Sequence, residues 1–100
     1  SVGSFALGGA EGFGAEVGVM GACGLDVGFG LSSDDQDESD LKRVLHKAAR
    51  RTLVLTDGSK IGQRSRHQTL SLNEIDLIIT DAHPDETDAL VTAGAEIHHA

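Results

Sequence analysis

Residues 40–60 read DLKRVLHKAARRTLVLTDGSK and combine the patterns of a helix, a strand and a polar loop. Apolar residues recur at i, i+3, i+4, i+7 and i+8, which predicts one apolar stripe along a helix. This stripe consists of Leu41, Val44, Leu45, Ala48 and Ala49. The positions between them are expected to form the opposite, solvent-facing side. They are Lys42, Arg43, His46, Lys47, Arg50 and Arg51.

Charges along the helix follow its dipole. The acids Asp37, Glu38 and Asp40 come first, and the cations gather towards the end. Negative charge near a helix N-terminus and positive charge near its C-terminus are both stabilising. The charge order therefore supports a helix across this stretch.

A short apolar strand follows the helix. Residues 52–56, TLVLT, form a continuous apolar run, which is typical of a parallel strand covered on both faces. The polar residues 57–60, DGSK, then leave its C-terminal end. Ligands of open α/β sheets bind beyond the carboxyl ends of the strands. This loop is therefore the first candidate for a binding site.

The remaining elements repeat the alternation of strand and helix. Residues 76–81 predict a second buried strand, and residues 16–20 and 95–98 predict shorter ones. Pro84 suits the first turn of a helix and Gly94 its end. We therefore predict an α/β domain with flanking helices and a mainly parallel sheet of three or four strands. Val54 and Ile78 should lie on its central, buried strands.

Other segments are less clearly specified. Residues 1–15 are rich in glycine, which disfavours a stable helix over residues 5–15, so the α/β core is expected over residues 16–100. Residues 30–37 are expected to form an exposed connection. The stretch 63–69 receives no assignment, and Ser71 with Glu74 has the spacing of a capping box.

Composition narrows the class of protein. One hundred residues form at most one small domain and are expected to be part of a larger one. The single cysteine, Cys23, excludes an internal disulfide and fits the reducing cytoplasm. No apolar run reaches the ~18 residues of a membrane span, and a signal peptide is not expected, because these residues do not open with a charged and then apolar stretch.

Charge is segregated along the chain. The net charge is −8, yet all eight lysines and arginines lie between residues 42 and 66. Overall acidity argues against nucleic-acid binding by these residues, because phosphate neutralisation needs a basic surface. The basic band suits an anionic small molecule or an acidic partner, and equally a solvated helix face.

Two acidic residues and one polar loop should converge at one edge of the sheet. Asp26, the 57–60 loop and Asp81 each leave the C-terminal end of a predicted strand. Backbone N–H groups around Gly58 could form a concavity that donates hydrogen bonds to an anion, with the Lys60 ammonium meeting a phosphate. Asp26 or Glu38 could accept hydrogen bonds from sugar hydroxyls. The alternative is that Asp57 and Asp81 only cap turns.

Several runs together resemble the C-terminal effector domain of DeoR-family transcriptional repressors. They are GACGLD at 21–26, GLSS at 30–33, Glu38 with LKR at 41–43, LTDGSKIG at 55–62 and IDLIITD at 75–81. The resemblance implies a fold like that of ribose 5-phosphate isomerase and a sensor of a phosphorylated sugar, without catalysis or a cofactor. By it, the ligand-binding positions are Gly24, Asp26, Glu38, Ser59 and Lys60.

The match to that family is partial. Its helix-turn-helix and its Asp-x-Gly-Thr-Thr loop do not occur in these residues. We therefore expect residues 1–100 to be the C-terminal part of the sensor domain, with DNA bound by a separate domain. An incomplete sheet should expose an edge, so a homo-oligomer is expected, with Met20, Val19 or Ile97 at the contact.

Two other functions remain open. An isomerase-like enzyme could use Asp26, Glu38 and Lys60 for proton transfer. A phospho-receiver module would place Asp81 at a strand end, but Lys60 precedes Asp81, which is the wrong order. No metal site is predicted, because the adjacent His98 and His99 on a strand point to opposite faces.

Overall fold

Five strands form the larger of two sheets in the computed structural model, which describes residues 6–7 and 15–100. The strands are β1 (Ala6–Leu7), β2 (Ala15–Gly21), β3 (Gly24–Asp26), β4 (Gly30–Ser33), β5 (Ala49–Thr56), β6 (His67–Leu70), β7 (Leu77–Thr80) and β8 (Ile97–His99). The larger sheet has the order β1-β2-β5-β7-β8, in which β1 is antiparallel and the other four are parallel. The predicted mainly parallel sheet is confirmed, with one strand more than expected.

Two helices and three short 3-10 turns complete the described part of the chain. They are α1 (Gln36–Ala48) and α2 (Asp88–Thr92), with turns at Gly58–Lys60, Leu72–Glu74 and Pro84–Thr87. The predicted signals for helix starts and ends are confirmed. Pro84 begins the last 3-10 turn, and Gly94 after α2 has a φ of +101°. The Ser71 N–H donates to Glu74 Oε1 at 2.8 Å, as a capping box requires. The described helices do not have the length and apolar character that a membrane span requires.

One face of the larger sheet carries the core. Met20, Val54 and Ile78 are neighbours on β2, β5 and β7, and each is buried. Leu45 of α1 and Leu90 of α2 belong to the same apolar cluster, so both helices cover this face. Parallel strands that follow one another across a sheet with right-handed connections place those connections on one side.

The opposite face is less covered than the sequence predicts. Leu55 on β5 is 47% exposed, and its neighbours Leu53 and Ile79 are partly exposed. The continuous apolar run at 52–56 led us to expect cover on both faces. An apolar run alone does not show whether another part of the chain packs against the second face of its strand.

A smaller antiparallel sheet, β3-β4-β6, was not predicted. Its middle strand, Gly30–Ser33, is buried, so the expected exposed connection at residues 30–37 is wrong for residues 30–33 and confirmed for the exposed residues 34–37. Residues 63–69, left unassigned, contribute most of β6. The strands are short and rich in Ser, Thr and Gly, so their periodicity is too weak to read.

Helix α1 turns inward a face that shares Leu45 with the predicted stripe but otherwise differs from it. Val44 is 61% exposed and Leu41 is also exposed, whereas Ser39, Lys42 and Leu45 are buried. The hydroxyl of Ser39 bonds to that of Thr69 on β6 at 2.8 Å, which shows why a polar residue can lie inward. The smaller sheet offers polar partners to the helix. The buried face of α1 is therefore rotated about the helix axis by roughly 100°, the angle of one residue, from the face that the apolar stripe predicted.

Met20 is fully buried in the core, so it is not available at an intermolecular contact. The expectation that residues 5–15 form no stable helix is met at Ala6–Leu7, which form β1. Ala15 begins β2, and the rest of that stretch lies outside the described residues.

Candidate functional site

The loop after β5 is held by hydrogen bonds to two aspartates. The Gly58 N–H donates to Asp81 Oδ1 at 2.7 Å and ties the end of β5 to the end of β7. The N–H of Ser59 donates to Asp57 Oδ1 at 3.0 Å, and its hydroxyl donates to the same oxygen. Asp57 and Asp81 therefore cap this loop, which is the alternative considered from the sequence.

The loop also packs against the smaller sheet. Ile61 forms a parallel bridge with Leu25 of β3, and the Gly62 N–H donates to the Leu25 carbonyl at 2.7 Å. The N–H groups of Lys60, Ile61 and Gln63 donate to carbonyls within the loop. The prediction that backbone N–H groups around Gly58 form a concavity that donates to an anion is thus wrong, because these groups already donate to acceptors within the protein.

Lys60 is the cation that this loop presents. Its side chain is partly exposed, and it forms no salt bridge with any residue in the described ranges. The Ser59 hydroxyl and N–H, together with the Lys60 charge, lower the pKa of Asp57. An ammonium without a close carboxylate keeps its three donors for a ligand.

Asp26 has an internal structural role. Its Oδ2 accepts hydrogen bonds from the N–H groups of Gly28 and Phe29 and from Nε of Arg64, each at 2.9 Å. Burial raises the pKa of the Asp26 carboxyl, but the hydrogen bonds and the Arg64 charge outweigh it, so the net shift is downward. Asp26 closes the turn between β3 and β4, and its Oδ2 is occupied by protein donors.

Gly24 allows two backbone segments to meet. A Cβ atom at this position would lie 2.5 Å from the Gln63 carbonyl oxygen and 2.8 Å from Ser32 Oγ. Both distances are shorter than a carbon atom tolerates, so a side chain here would push the loop away from β3. The structure gives Gly24 a role in bringing residues 58–63 against the smaller sheet.

Glu38 lies in the first turn of α1 and is joined to a residue that the sequence analysis missed. Its Oε2 is 3.5 Å from Nζ of Lys42, one helical turn later. The Lys42 Nζ also donates to the carbonyl of Gly21, the last residue of β2, at 2.9 Å. The i, i+4 spacing of Glu38 and Lys42 could have indicated this ion pair from the sequence. The apolar stripe predicted for α1 instead placed Lys42 on the solvent-facing side.

The predicted site residues therefore fall into two groups, one beside β3 and one beside the end of β2. The 57–62 loop, with Ser59 and Lys60, packs on β3. The α1 start, with Glu38 and Lys42, is fastened to the end of β2. Because β2 and β5 are adjacent and parallel, both groups lie at the C-terminal edge of the larger sheet.

An open cleft adjoins the start of this loop, at the C-terminal ends of β5 and β7. It has a volume of about 340 Å³ and is lined by Leu55, Thr56, Asp57, Ile79, Thr80, Asp81 and Ala100. Its two carboxylates, Asp57 and Asp81, would repel an anion, which favours the vicinity of the Lys60 ammonium for the charged group of a negatively charged ligand. Within the described ranges, no group of His, Cys, Asp and Glu could hold a metal ion.

Comparison with known proteins places the chain in a family. The family model described as DeoR C terminal sensor domain matches residues 1–82. HTH-type transcriptional regulator GlpR of Haloferax volcanii is 36% identical over 80 residues, covering 78% of this chain and 31% of that protein.

Two further relatives agree. The putative aga operon transcriptional repressor of Escherichia coli O157:H7 is 34% identical over 80 residues, covering 78% of this chain and 30% of that protein. HTH-type transcriptional repressor GlcR of Bacillus subtilis is 33% identical over 81 residues, with coverages of 79% and 31%. The three are named as transcriptional regulators, not as enzymes, and this chain spans about a third of their length. The chain belongs to the family of DeoR C-terminal sensor domains.

Proposed function

We propose that this chain is the effector-binding, C-terminal part of a sensor domain in a DeoR-type transcriptional regulator. In this proposal, a phosphorylated sugar binds at the C-terminal edge of the sheet and changes DNA binding by a separate helix-turn-helix domain. The observation that carries it is Lys60, a partly exposed cation without a salt bridge in the described residues, at the end of a parallel strand. Ligands of α/β sheets bind at such strand ends.

The two groups of residues would divide the ligand between them. Lys60 meets the phosphate, and the nearby Ser59 hydroxyl can adjust to it. Glu38, which lies beside the end of β2, accepts hydrogen bonds from the sugar hydroxyls. Gly24 keeps that segment close to the loop, and Asp26 holds the turn behind it. These are contributions to ligand binding, so no catalytic residue is proposed.

DNA, location and assembly follow from the same proposal. The chain has a net charge of −8, which disfavours DNA contact by these residues themselves. A regulator must reach the chromosome, so the proposal places the protein in the cytoplasm. We also propose a homo-oligomer, because a partly exposed apolar sheet face favours association.

A matched pair of lysine variants tests the proposed site. Lys60→Ala should weaken binding of sugar phosphates about ten- to a hundredfold, since a charge-assisted hydrogen bond contributes about 1.5–3 kcal/mol. Lys47→Ala removes the same charge from an exposed position in the last turn of α1 and should change the affinity little. Calorimetric titration with ribose 5-phosphate, glucose 6-phosphate and glycerol 3-phosphate measures both.

Three results would contradict the proposal in different ways. Equal affinities for wild type and Lys60→Ala would place the phosphate elsewhere. Absence of binding by the wild type to every sugar phosphate would remove the sensor function. Turnover of one of these compounds would favour the isomerase-like enzyme.

A further inference from the structure

Lys42 is a fully buried cation in the middle of an otherwise amphipathic helix. Its side chain is 1% exposed. Removing an ammonium from water costs several kcal/mol unless partners replace the lost hydration. Two partners lie within reach, the Gly21 carbonyl at 2.9 Å and the Glu38 carboxylate at 3.5 Å. Lys42 therefore joins the end of β2 to the first turn of α1.

The Glu38 carboxylate differs from its partner in reaching solvent. The Glu38 side chain is 17% exposed, so one side of the pair faces outward at the strand end while the ammonium lies behind it. A free glutamate side chain samples several rotamers, and fixing it on binding has an entropic cost. A glutamate held from behind by a buried ammonium has lost much of that freedom already.

We infer that Lys42 is a positioning residue, which holds the Glu38 carboxylate ready to accept hydrogen bonds from the hydroxyl groups of a phosphorylated polyol. This inference rests on the proposed function. It assigns different tasks to the two lysines: Lys60 meets the phosphate directly, whereas Lys42 acts on the sugar hydroxyls through Glu38. Support by residues behind the contact group is a general requirement of a precise binding site.

The division of tasks can be measured with two ligands. Lys42→Met keeps the length and apolar stem of the side chain and removes the charge. It should weaken binding of the tightest of the three sugar phosphates about tenfold or more, because a carboxylate contact is misplaced. Binding of inorganic phosphate, which has no polyol hydroxyls, should stay within about twofold. Lys47→Met is the matched control and should change neither affinity.

A purely structural role for Lys42 would look different. Loss of folded protein or a general distortion would weaken both ligands by the same factor, and that result would overturn the inference. So would wild-type affinity for the sugar phosphate in Lys42→Met. Failure of the wild type to bind any sugar phosphate would instead overturn the proposed function and this inference with it.

A second pair of variants keeps the test decisive if Lys42→Met folds poorly. Removing only one member of a buried ion pair leaves the other without compensation, whereas removing both is often tolerated. Glu38→Gln and the double variant Glu38→Gln/Lys42→Met should therefore bind sugar phosphate equally weakly, because Lys42 has no carboxylate left to position. A further loss of tenfold or more in the double variant would show that Lys42 acts independently of Glu38.

Discussion

The two faces of the larger sheet carry the same kinds of aliphatic side chain but differ in cover. Met20, Val54 and Ile78 lie under the two helices and are buried, whereas Leu55 on the opposite face is 47% exposed. Alternate residues of one strand are thus a core residue and a surface residue. The contrast shows that apolar character alone does not reveal which face of a parallel strand the fold covers.

Adjacent isoleucines on β7 give the sharpest test of this contrast. Ile78→Ala removes buried methylene groups and should lower the free energy of unfolding by about 2–5 kcal/mol. Ile79→Ala makes the same chemical change on the partly exposed face and should cost about 1 kcal/mol or less. Urea unfolding followed by circular dichroism measures both. Equal losses would mean that the second face is packed as tightly as the first.

Association of the protein should depend on the exposed face. Leu53, Leu55 and Ile79 are neighbours on β5 and β7 and form an apolar surface. Such surfaces favour contacts between molecules. We expect wild type to form dimers or larger oligomers, and Leu55→Lys to weaken self-association about tenfold, as one buried charge would. Sedimentation equilibrium measures the change.

The control for this variant lies on α1. Val44 is also an exposed aliphatic residue, but it belongs to the outer side of the helix. Val44→Lys should leave the oligomeric state unchanged. A monomeric wild type at high concentration would refute the association, and equal effects of the two variants would move the contact to α1.

The smallest expected effect on stability concerns the polar contacts that Glu74 makes with α1. Glu74 accepts a hydrogen bond from the Ser71 N–H and lies 3.6 Å from both Arg43 and His46 of α1. The Ser71 hydrogen bond, aided by the Arg43 charge, lowers the pKa of Glu74 below its ordinary value of about 4.5. A lowered pKa contributes stability above that value, which is lost as the pH falls through the pKa of the folded state.

Glu74→Gln should therefore be less stable than wild type at pH 7, by about 1 kcal/mol or less for a partly exposed pair. The difference should shrink as the pH falls below about 4.5 and vanish in acid. Glu96→Gln is the control, because its carboxylate is exposed and makes no hydrogen bond or salt bridge to the described residues. Urea unfolding at several pH values would contradict the expectation if the difference were constant.

Long apolar runs predicted the larger sheet well. β5 and β7 appear where residues 52–56 and 76–81 indicated them, and they are parallel neighbours. Proline and glycine marked the last helix correctly, because their backbone limits act locally. The smaller sheet escaped because pairing of β3, β4 and β6 depends on contacts between distant segments, which periodicity does not report.

The candidate site was only partly predictable for a related reason. The placement of Lys60 at a strand end followed from the order of elements. The inward turn of Lys42 did not, because it depends on the carbonyl of Gly21, twenty-one residues earlier. Assigning helix faces from apolar periodicity places every lysine on the exposed face. That assignment fails where the fold provides a buried hydrogen-bond acceptor for the ammonium. The internal role of Asp26 was hidden in the same way, since Arg64 lies 38 residues along the chain.

The closed hydrogen bonding of the 58–63 loop has a consequence for the speed of recognition. All six backbone N–H groups from Gly58 to Gln63 already have acceptors within the protein. No peptide group has to turn when a ligand arrives, so the ordering entropy of the loop is spent during folding and not during binding. A phosphate that meets Lys60 would then find a loop whose backbone is already ordered. Its association should be fast and limited by encounter, and differences between ligands should appear in how quickly they leave.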